Sequence, residues 1–302
     1  MDSKNSGGID LHIHSIASDG SYHPSELLQM AARQGLEAIS ITDHDTLSGT
    51  RIALAGDIPE GLRFITGVEI SAQPPTGSSI NGSLHILGYG IDPDFPPLVE
   101  ALTEMQQSRD QRIVHIVNRL NAIDIPLTLQ QVLNEVGEGS AGRPHVASAM
   151  IKAGIVADVD EAFDRYLAKG GPAFVSKRRL DCKRTLDLIG EAGGIPVLAH
   201  PCLIRAYGEN EKRTMRQLIH GLVGMGLRGI EVHYPRHSPQ DVTDLIATAE
   251  QLNLLVTGGS DFHGKISPEI QMGCGLGDLH VPFALFENLL SSHPGLKTKP
   301  RA

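Results

Sequence analysis

Residues 9–14 read IDLHIH and residues 38–45 read AISITDHD, and these two stretches decide the fold. In each of them apolar and polar side chains alternate with the two-residue period of a β-strand. Residues 24–34, which lie between them, have the apolar spacing of a helix that stops at Gly35. A strand, a helix and a second strand at this spacing predict a parallel βαβ unit.

The alternation continues on both sides of a purely helical segment. Further strands are predicted at residues 64–70, 84–89, 195–199, 229–233 and 254–257, with helices at 183–192, 211–225 and 238–252. Residues 96–174 carry helical patterns only. We therefore predict an α/β fold of about seven βα units, a barrel or barrel-like sheet built from residues 1–95 and 175–302. The helical insertion, residues 96–174, is expected to contribute to the substrate pocket.

The composition excludes several classes of protein. The chain of 302 residues is 40% hydrophobic, which is enough for a folded core, and its net charge of −9 disfavours a general binder of long nucleic acids. Three cysteines without C-x-x-C spacing argue against a disulfide framework or a cysteine zinc site. The sequence contains no apolar run of about 20 residues and no signal-peptide pattern. We expect a cytoplasmic protein with no membrane partner and no obligate protein partner.

Nine side chains that commonly bind metals lie within or just after the predicted strands. They are His12, His14, Asp19, His44, Glu69, His85, His200, Asp261 and His263. The carboxyl ends of parallel barrel strands form one face, where active sites are built. Any one of these histidines alone would be assigned to the core or the surface, but nine together predict a metal centre. Six imidazoles and three carboxylates suit Mn²⁺, Zn²⁺ or Fe²⁺, and they exceed what one ion needs, so two or three ions are expected.

The ordered motifs DLHIHSIASDGS, ITDHDT, GVEIS, LAHP and GSDFHG resemble those of the PHP (polymerase and histidinol phosphatase) metal-dependent phosphoesterases. GRPHVA and FVSKRR resemble a small stand-alone branch, which includes nucleoside 3′,5′-bisphosphate phosphatases and 5′-to-3′ exoribonucleases. The resemblance implies a distorted (β/α)7 TIM-like barrel with a trinuclear centre. It assigns one ion to His12, His14, Glu69 and Asp261, a second to Glu69, His85 and His200, and a third to Asp19, His44 and His263.

The charges of such a centre favour phosphate chemistry. Three divalent ions outweigh the three carboxylates, so an anionic substrate is attracted locally although the whole chain is acidic. A metal-activated hydroxide is expected to attack phosphorus, so no serine or cysteine nucleophile is required. Asp10 and Asp43 are predicted to orient ligand imidazoles.

Substrate contacts are predicted in the insertion and just after it. Arg143, in a Gly-Arg-Pro-His turn, is expected to clamp a second phosphate through two parallel hydrogen bonds. Alternatively, Arg143 caps a helix or pairs with Glu135 or Glu138. Further candidate substrate contacts are His145, Lys177, Arg178 and His237. The basic residues among them also fit a solvated face, His237 rests on the resemblance, and the role of His233 is open.

We predict a phosphoesterase that hydrolyses phosphate esters of small nucleotides, such as nucleoside 3′,5′-bisphosphates, or short 5′-phosphorylated oligoribonucleotides. One alternative is a histidinol-phosphate phosphatase, which the basic residues near the insertion disfavour. A second is a non-enzymatic protein that binds metal and nucleotide. A third is a polymerase proofreading module, disfavoured because no polymerase region follows residue 302. The native metal, the choice between monoesterase and exonuclease, the base preference and the oligomeric state stay open at this point.

Overall fold

The computed structural model describes residues 8–136, 142–176, 178–206, 211–293, 295–296 and 298–299. The strands among them are β1 (Ile9–Ile13), β2 (Ala38–Ile41), β3 (Arg63–Ile65), β4 (Gly67–Gln73), β5 (Ile80–Asn81), β6 (Leu84–Tyr89), β7 (Leu180–Asp181), β8 (Ile195–Leu198), β9 (Arg205–Ala206), β10 (Gly229–His233), β11 (Leu255–Gly258) and β12 (Thr298–Lys299). The α-helices are α1 (Pro24–Arg33), α2 (Ser48–Ala55), α3 (Pro96–Asn121), α4 (Leu129–Leu133), α5 (Arg143–Lys152), α6 (Val159–Ala162), α7 (Cys182–Glu191), α8 (Glu211–Gly224), α9 (Pro239–Leu252) and α10 (Phe283–Ser292). A π-helical turn at Phe163–Leu167 and short 3₁₀ turns at Pro201–Leu203 and Gly264–Ile266 complete the helical elements.

The chain divides into two compact units. The first comprises Met1–Ala101 and Arg179–Ala302, and the second comprises Leu102–Arg178. The first unit holds the strands described above, and the described part of the second is helical. A contribution of the helical unit to the substrate pocket stays a prediction.

The first unit has a mixed α/β fold, and its early strands pair as the sequence predicts. β1 pairs with β2 and β2 with β3, both in parallel, and β10 lies parallel to both β8 and β11. Helix α1 makes the first crossover. It begins with a capping box between His23 and Glu26, has Pro24 in its first turn, and is followed by Gly35 with a positive φ of 76°. Its apolar face, which includes Leu27 and Leu28, packs on the sheet.

The described strands do not close into one barrel. They form a sheet in the order β1-β2-β3-β12, a sheet in the order β11-β10-β8-β6-β4-β7, and the pair β5-β9. Single bridges, Ile13 with Phe262 and His44 with Glu69, join the two larger sheets. Beside β1, the segment after β11 is held by the Asp261 N–H, which donates to the His12 carbonyl at 2.9 Å, and by the His14 N–H, which donates to the Phe262 carbonyl at 2.9 Å.

The predicted parallel arrangement is wrong at β6, which runs antiparallel to both β4 and β8. Residues 74–83, which link β4 to β6, contain only the short β5 and no helix, so they cannot make a parallel crossover. The consequence is that His85 lies near the start of its strand rather than at its end. It still lies beside the carboxyl end of β8, because the Ala199 N–H donates to the His85 carbonyl at 3.0 Å.

The second unit has its own apolar core. Ile116 and Leu120 on α3 pack with Val146 and Met150 on α5, and all four side chains are buried. Burial of each such side chain contributes about 1.5–3 kcal/mol relative to an exposed one. Across the part of the chain that the structure describes, no helix is both long enough and apolar enough to span a membrane.

Candidate metal centre

Strand β1 places the first two candidate ligands. His12 lies on β1 and His14 directly follows it, and both side chains are fully buried. Asp10 precedes them, but within the described residues the hydrogen bonds of its carboxylate go to backbone N–H groups and a hydroxyl rather than to an imidazole. It accepts the N–H groups of His12 at 3.2 Å, Ser260 at 2.9 Å and Gly273 at 2.7 Å, and the Ser260 hydroxyl at 2.5 Å. The prediction that Asp10 orients a ligand imidazole was therefore wrong: Asp10 fixes the backbone that follows β11.

Asp43 stabilises the backbone of the loop after β1 in a similar way. Its carboxylate accepts the Ser15 N–H and hydroxyl, each at 2.7 Å, and the Ser18 hydroxyl at 2.6 Å. These bonds hold the turn that carries Asp19. The prediction that Asp43 orients a ligand imidazole was also wrong, because the hydrogen bonds of its carboxylate among the described residues go to the two serines.

Glu69, on β4, lies at the centre of the candidate site and its side chain is completely buried. Its Oε1 lies 2.9 Å from His85 Nδ1 and 3.0 Å from His200 Nε2, and its Oε2 lies 2.9 Å from His44 Nδ1 and 3.4 Å from both His12 Nε2 and His14 Nε2. Five imidazoles, from β1, β6 and the segments that follow β1, β2 and β8, thus surround one carboxylate.

Asp261 and Asp19 are the other two carboxylates of the cluster. Asp261 Oδ1 lies 3.1 Å from His14 Nε2 and 3.4 Å from His12 Nε2. Asp19 Oδ1 lies 3.3 Å from His263 Nε2, and Asp19 Oδ2 lies 3.6 Å from His44 Nε2. The side chain of Asp19 is 54% exposed, against 18% for Asp261, so the cluster opens to solvent on the Asp19 side.

The structure brings all nine predicted side chains together. Ligand atoms lie within 4.8 Å of one another in three overlapping groups, which are His14, Asp19, His44 and His263; His12, His14 and Asp261; and His44, Glu69 and His85. His200 joins the cluster through its contact with Glu69. The assignment of particular residues to particular ions stays a prediction.

The chemistry of these atoms fits a divalent cation. Several of these buried atoms lie close to one another but make no well-aligned hydrogen bond; they are His12 Nε2, His14 Nδ1 and Nε2, His44 Nδ1, Glu69 Oε2 and His200 Nδ1. An unpartnered buried polar atom costs about 1–3 kcal/mol, so such a concentration is unfavourable unless something else binds these atoms. Nitrogen and oxygen lone pairs that converge in this way are what Mn²⁺, Zn²⁺ or Fe²⁺ requires.

The acid–base properties of the cluster follow from burial and charge. Burial opposes ionisation of Glu69, but the charges of His44, His85 and His12 hold its pKa well below the usual value. Burial and the repulsion of His263 and His44 lower the pKa of His14 to about 4. Burial also disfavours the charged form of His44, yet Glu69 outweighs it and raises that pKa to about 9. At neutral pH a cation that binds His44 therefore competes with a proton.

Two residues behind the cluster were missed by the sequence analysis. Glu231, fully buried on β10, places its Oε1 2.8 Å from His12 Nδ1. The Tyr234 hydroxyl donates to Asp261 Oδ2 at 3.0 Å. Glu231 could have been found from the sequence, because it is the one carboxylate in the otherwise largely apolar predicted strand GIEVH. Tyr234 has no comparable sequence signal.

The predicted substrate contacts of the insertion lie in the helical unit. Arg143 begins α5 and donates from Nη1 to the Leu167 carbonyl at 3.0 Å. Its guanidinium carbon lies over the rings of Phe163 and Phe174, 5.3 and 5.7 Å from their centroids. Of its two predicted alternative partners, Glu135 pairs with Lys152 at 2.9 Å, and Glu138 lies outside the described residues.

The other predicted contacts have separate surroundings. His145 accepts the Gly142 N–H at 2.9 Å on Nδ1, and Arg178 pairs with Glu104 at 2.8 Å. Lys177 lies outside the described residues. In the first unit, His237 Nδ1 lies 2.8 Å from the Val232 carbonyl, and its buried Nε2 has no hydrogen-bond partner. The substrate roles of these residues stay predictions.

Comparison with known proteins identifies the family. The PHP domain matches residues 10–131. The chain is 33% identical to a 5′-3′ exoribonuclease from Haemophilus influenzae, covering 84% of this chain and 89% of that protein. It is 31% identical to a 3′,5′-nucleoside bisphosphate phosphatase from Chromobacterium violaceum, and the match covers 84% of this chain and 87% of that protein. A structure described as a metal-dependent phosphoesterase, from Bifidobacterium adolescentis, superposes with a TM-score of 0.74 at 28% identity, covering 96% and 97%. The chain therefore belongs to the PHP domain family of metal-dependent phosphoesterases, which makes it a hydrolase of phosphate esters.

Proposed function

We propose that this protein hydrolyses phosphate esters of small nucleotides, such as nucleoside 3′,5′-bisphosphates, or of short 5′-phosphorylated oligoribonucleotides. The observation that carries the proposal is the set of unpartnered imidazole and carboxylate atoms around Glu69. The two relatives named above, an exoribonuclease and a nucleoside bisphosphate phosphatase, support the choice of substrate class. Such substrates occur inside cells, and a cytoplasmic location is part of the proposal.

The proposal includes two or three divalent ions, Mn²⁺, Zn²⁺ or Fe²⁺. His12, His14, Glu69 and Asp261 would hold one ion, Glu69, His85 and His200 a second, and Asp19, His44 and His263 a third. When bound, such ions make water acidic enough to ionise near neutral pH and offset the charge of a phosphate. We also infer that the first unit is the distorted (β/α)7 TIM-like barrel that the resemblance implies, opened where single bridges join the two larger sheets.

The residues of the chain position the ions and admit the substrate. One oxygen of Glu69 lies close to His85 and His200, and the other lies close to His44. In the proposal the carboxylate would therefore hold ions together with imidazoles on both of its sides. The exposed side of the cluster at Asp19 is the natural entrance for a phosphate. In the proposal Arg143 binds a second phosphate of the substrate, and its contacts with the rings of Phe163 and Phe174 support this role by restricting the direction of the guanidinium.

The list of proposed substrate contacts comprises Arg143, His145, Lys177, Arg178 and His237. Arg143→Lys keeps the charge but loses the planar fork, so it tests the clamp. We expect the KM for a bisphosphate to rise at least tenfold while the KM for a monophosphate changes little. Equal effects on both substrates would contradict a role for Arg143 in binding a second phosphate.

The function is tested by measuring phosphate release from Mn²⁺-reconstituted protein. The panel contains adenosine 3′,5′-bisphosphate, 3′-AMP, 5′-AMP, a short 5′-phosphorylated RNA and histidinol phosphate, with nucleotide products followed in parallel. Preference for the bisphosphate supports a phosphatase with a two-phosphate pocket, and mononucleotides released from RNA support an exonuclease. Turnover of histidinol phosphate alone, or no turnover with metal bound, would contradict the proposal.

Two variants serve as controls that distinguish catalysis by the cluster from activity of a contaminating enzyme. Asp261→Ala and His12→Ala remove candidate ligands and should abolish turnover. The metal content of each purified variant is measured alongside. Undiminished activity in either variant would show that the cluster around Glu69 is not the active site.

A further inference from the structure

Strand β10 and the turn after it bring two side chains behind the candidate ligands. Glu231 is on β10, and Tyr234 directly follows it. Both side chains lie in the first unit and are buried, Glu231 completely and Tyr234 with 5% exposure. Neither belongs to the nine predicted ligands, yet each contacts residues of that set.

Glu231 determines which nitrogen of His12 faces the cluster. Its Oε1 lies 2.8 Å from His12 Nδ1, and a carboxylate oxygen can only accept, so Nδ1 carries the hydrogen. The lone pair is then on Nε2, which lies 3.4 Å from both Glu69 Oε2 and Asp261 Oδ1. A ligand imidazole needs this arrangement, with one nitrogen unprotonated toward the cation and the other anchored.

The second oxygen of Glu231 holds the backbone of another candidate ligand. The His200 N–H donates to Glu231 Oε2 at 2.8 Å. His200 has φ of 29° and ψ of 60°, a left-handed conformation that residues with a Cβ adopt only when their surroundings impose it. One carboxylate therefore fixes the ring of His12 and the backbone of His200 together.

Tyr234 acts on Asp261 in a similar way. Asp261 also has a positive φ, of 56°. The Tyr234 hydroxyl donates to its Oδ2 at 3.0 Å, while Oδ1 points to His14 Nε2 at 3.1 Å. The hydrogen bond thus leaves Oδ1 as the oxygen that faces the cluster.

We infer that Glu231 and Tyr234 are positioning residues of the metal centre, which fix His12, His200 and Asp261 in the geometry that binds a divalent cation. The inference rests on the proposed function, because it presumes that the cluster binds metal. In this inference, side chains on β10 and directly after it set the direction of the candidate ligands.

Replacing Glu231 with glutamine separates this role from simple packing. Glutamine has nearly the same volume but offers one acceptor oxygen and one NH₂ donor, whereas Glu231 accepts from both His12 and His200. The NH₂ group must therefore oppose either the His12 Nδ1–H or the His200 N–H. Loss of such an outer hydrogen bond typically weakens metal binding by about 10- to 100-fold.

The experiment measures Mn²⁺ affinity by titration of metal-stripped protein, with free Mn²⁺ read from its EPR signal. We expect Kd to rise by about 10- to 100-fold in E231Q and by about tenfold in Y234F. E231D, which is too short to reach both donors, should lie between wild type and E231Q. Glu250→Gln is the matched control, since it makes the same change at an exposed position on α9 and should stay within twofold of wild type.

A second readout reports the ring of His12 directly. In Zn²⁺-loaded wild-type protein labelled with ¹⁵N-histidine, long-range ¹H–¹⁵N spectra should show His12 protonated at Nδ1 and coordinated at Nε2. E231Q should alter this pattern for His12, while E250Q should keep it. A purely structural role of Glu231 would lower the unfolding temperature but leave the pattern unchanged.

The outcomes distinguish the two proposals. If the wild-type protein binds neither Mn²⁺ nor Zn²⁺, the proposed function fails and this inference fails with it. If the wild type binds metal but E231Q binds within twofold of it, or keeps the His12 pattern, only this inference is overturned. If circular dichroism shows that E231Q is unfolded, Y234F decides, and unchanged Mn²⁺ affinity in that variant overturns the inference.

Discussion

Replacing Glu69 with glutamine is the most direct test of how the cluster holds metal. The substitution keeps the size of the side chain but removes a fully buried negative charge that five imidazoles contact within 3.4 Å. Two unit charges 4 Å apart interact with about 4 kcal/mol at an effective dielectric constant of 20. A divalent cation interacts more strongly, so 4 kcal/mol is a lower estimate, and at about 1.4 kcal/mol per tenfold the Kd should rise about 1,000-fold.

The assay is isothermal titration of metal-stripped protein with Mn²⁺, with a competing chelator for the wild type. Glu250→Gln, an exposed substitution of the same kind on α9, serves as the control and should leave Kd unchanged. Glu69 raises the pKa of His44 to about 9, so this pKa should fall in metal-free E69Q. The His44 imidazole of that variant then loses its proton and is neutral, instead of remaining charged without a carboxylate partner. A Kd within tenfold of wild type in folded E69Q would refute the central role of Glu69.

Two further predictions concern stability and thiol reactivity. Gly49→Ala should lower the free energy of unfolding by about 1–3 kcal/mol in urea titrations, because the new Cβ would lie 1.8 Å from Asp43 Oδ2. The control is Gly190→Ala, which has open space around it and should change the free energy of unfolding by less than about 1 kcal/mol. Equal effects of the two substitutions would contradict this reasoning. Burial raises the pKa of the Cys182 thiol to about 12, so at pH 8 iodoacetamide should label it at least about 1,000-fold more slowly than exposed Cys202, as followed by peptide mass spectrometry. Comparable labelling rates in the folded protein would show that Cys182 is accessible.

The sequence predicted most of the individual elements because their signals are local. The alternation in residues 9–14 and the helix signals at Pro24 and Gly35 report on a few neighbouring residues, and β1 and α1 form there. The pairing direction of β6 was beyond such reasoning, since it depends on what residues 74–83 do in space. Closure of the sheets is likewise a property of distant strands.

The candidate site shows the same division. The histidines and acids of the cluster could be found because they are chemically distinctive and stand at predicted strand ends. The partners of Asp10 and Asp43 could not, because a carboxylate that accepts backbone N–H groups looks like any other in a sequence. Glu231 meets His12 across 219 residues of chain, and only the folded structure relates the two.

The hydrogen bonds of Asp10 have a consequence for how the protein matures in the cell. Asp10 on the first strand is bound to Ser260 and Gly273, and the His12 carbonyl accepts the Asp261 N–H at 2.9 Å. Contacts this distant in sequence form late, because the closure of a long loop must precede them. A nascent chain that has emerged only as far as residue 131, the end of the family match, still lacks His200, Asp261 and His263. Metal loading is therefore expected after synthesis, when the folded protein competes for ions with the rest of the cell.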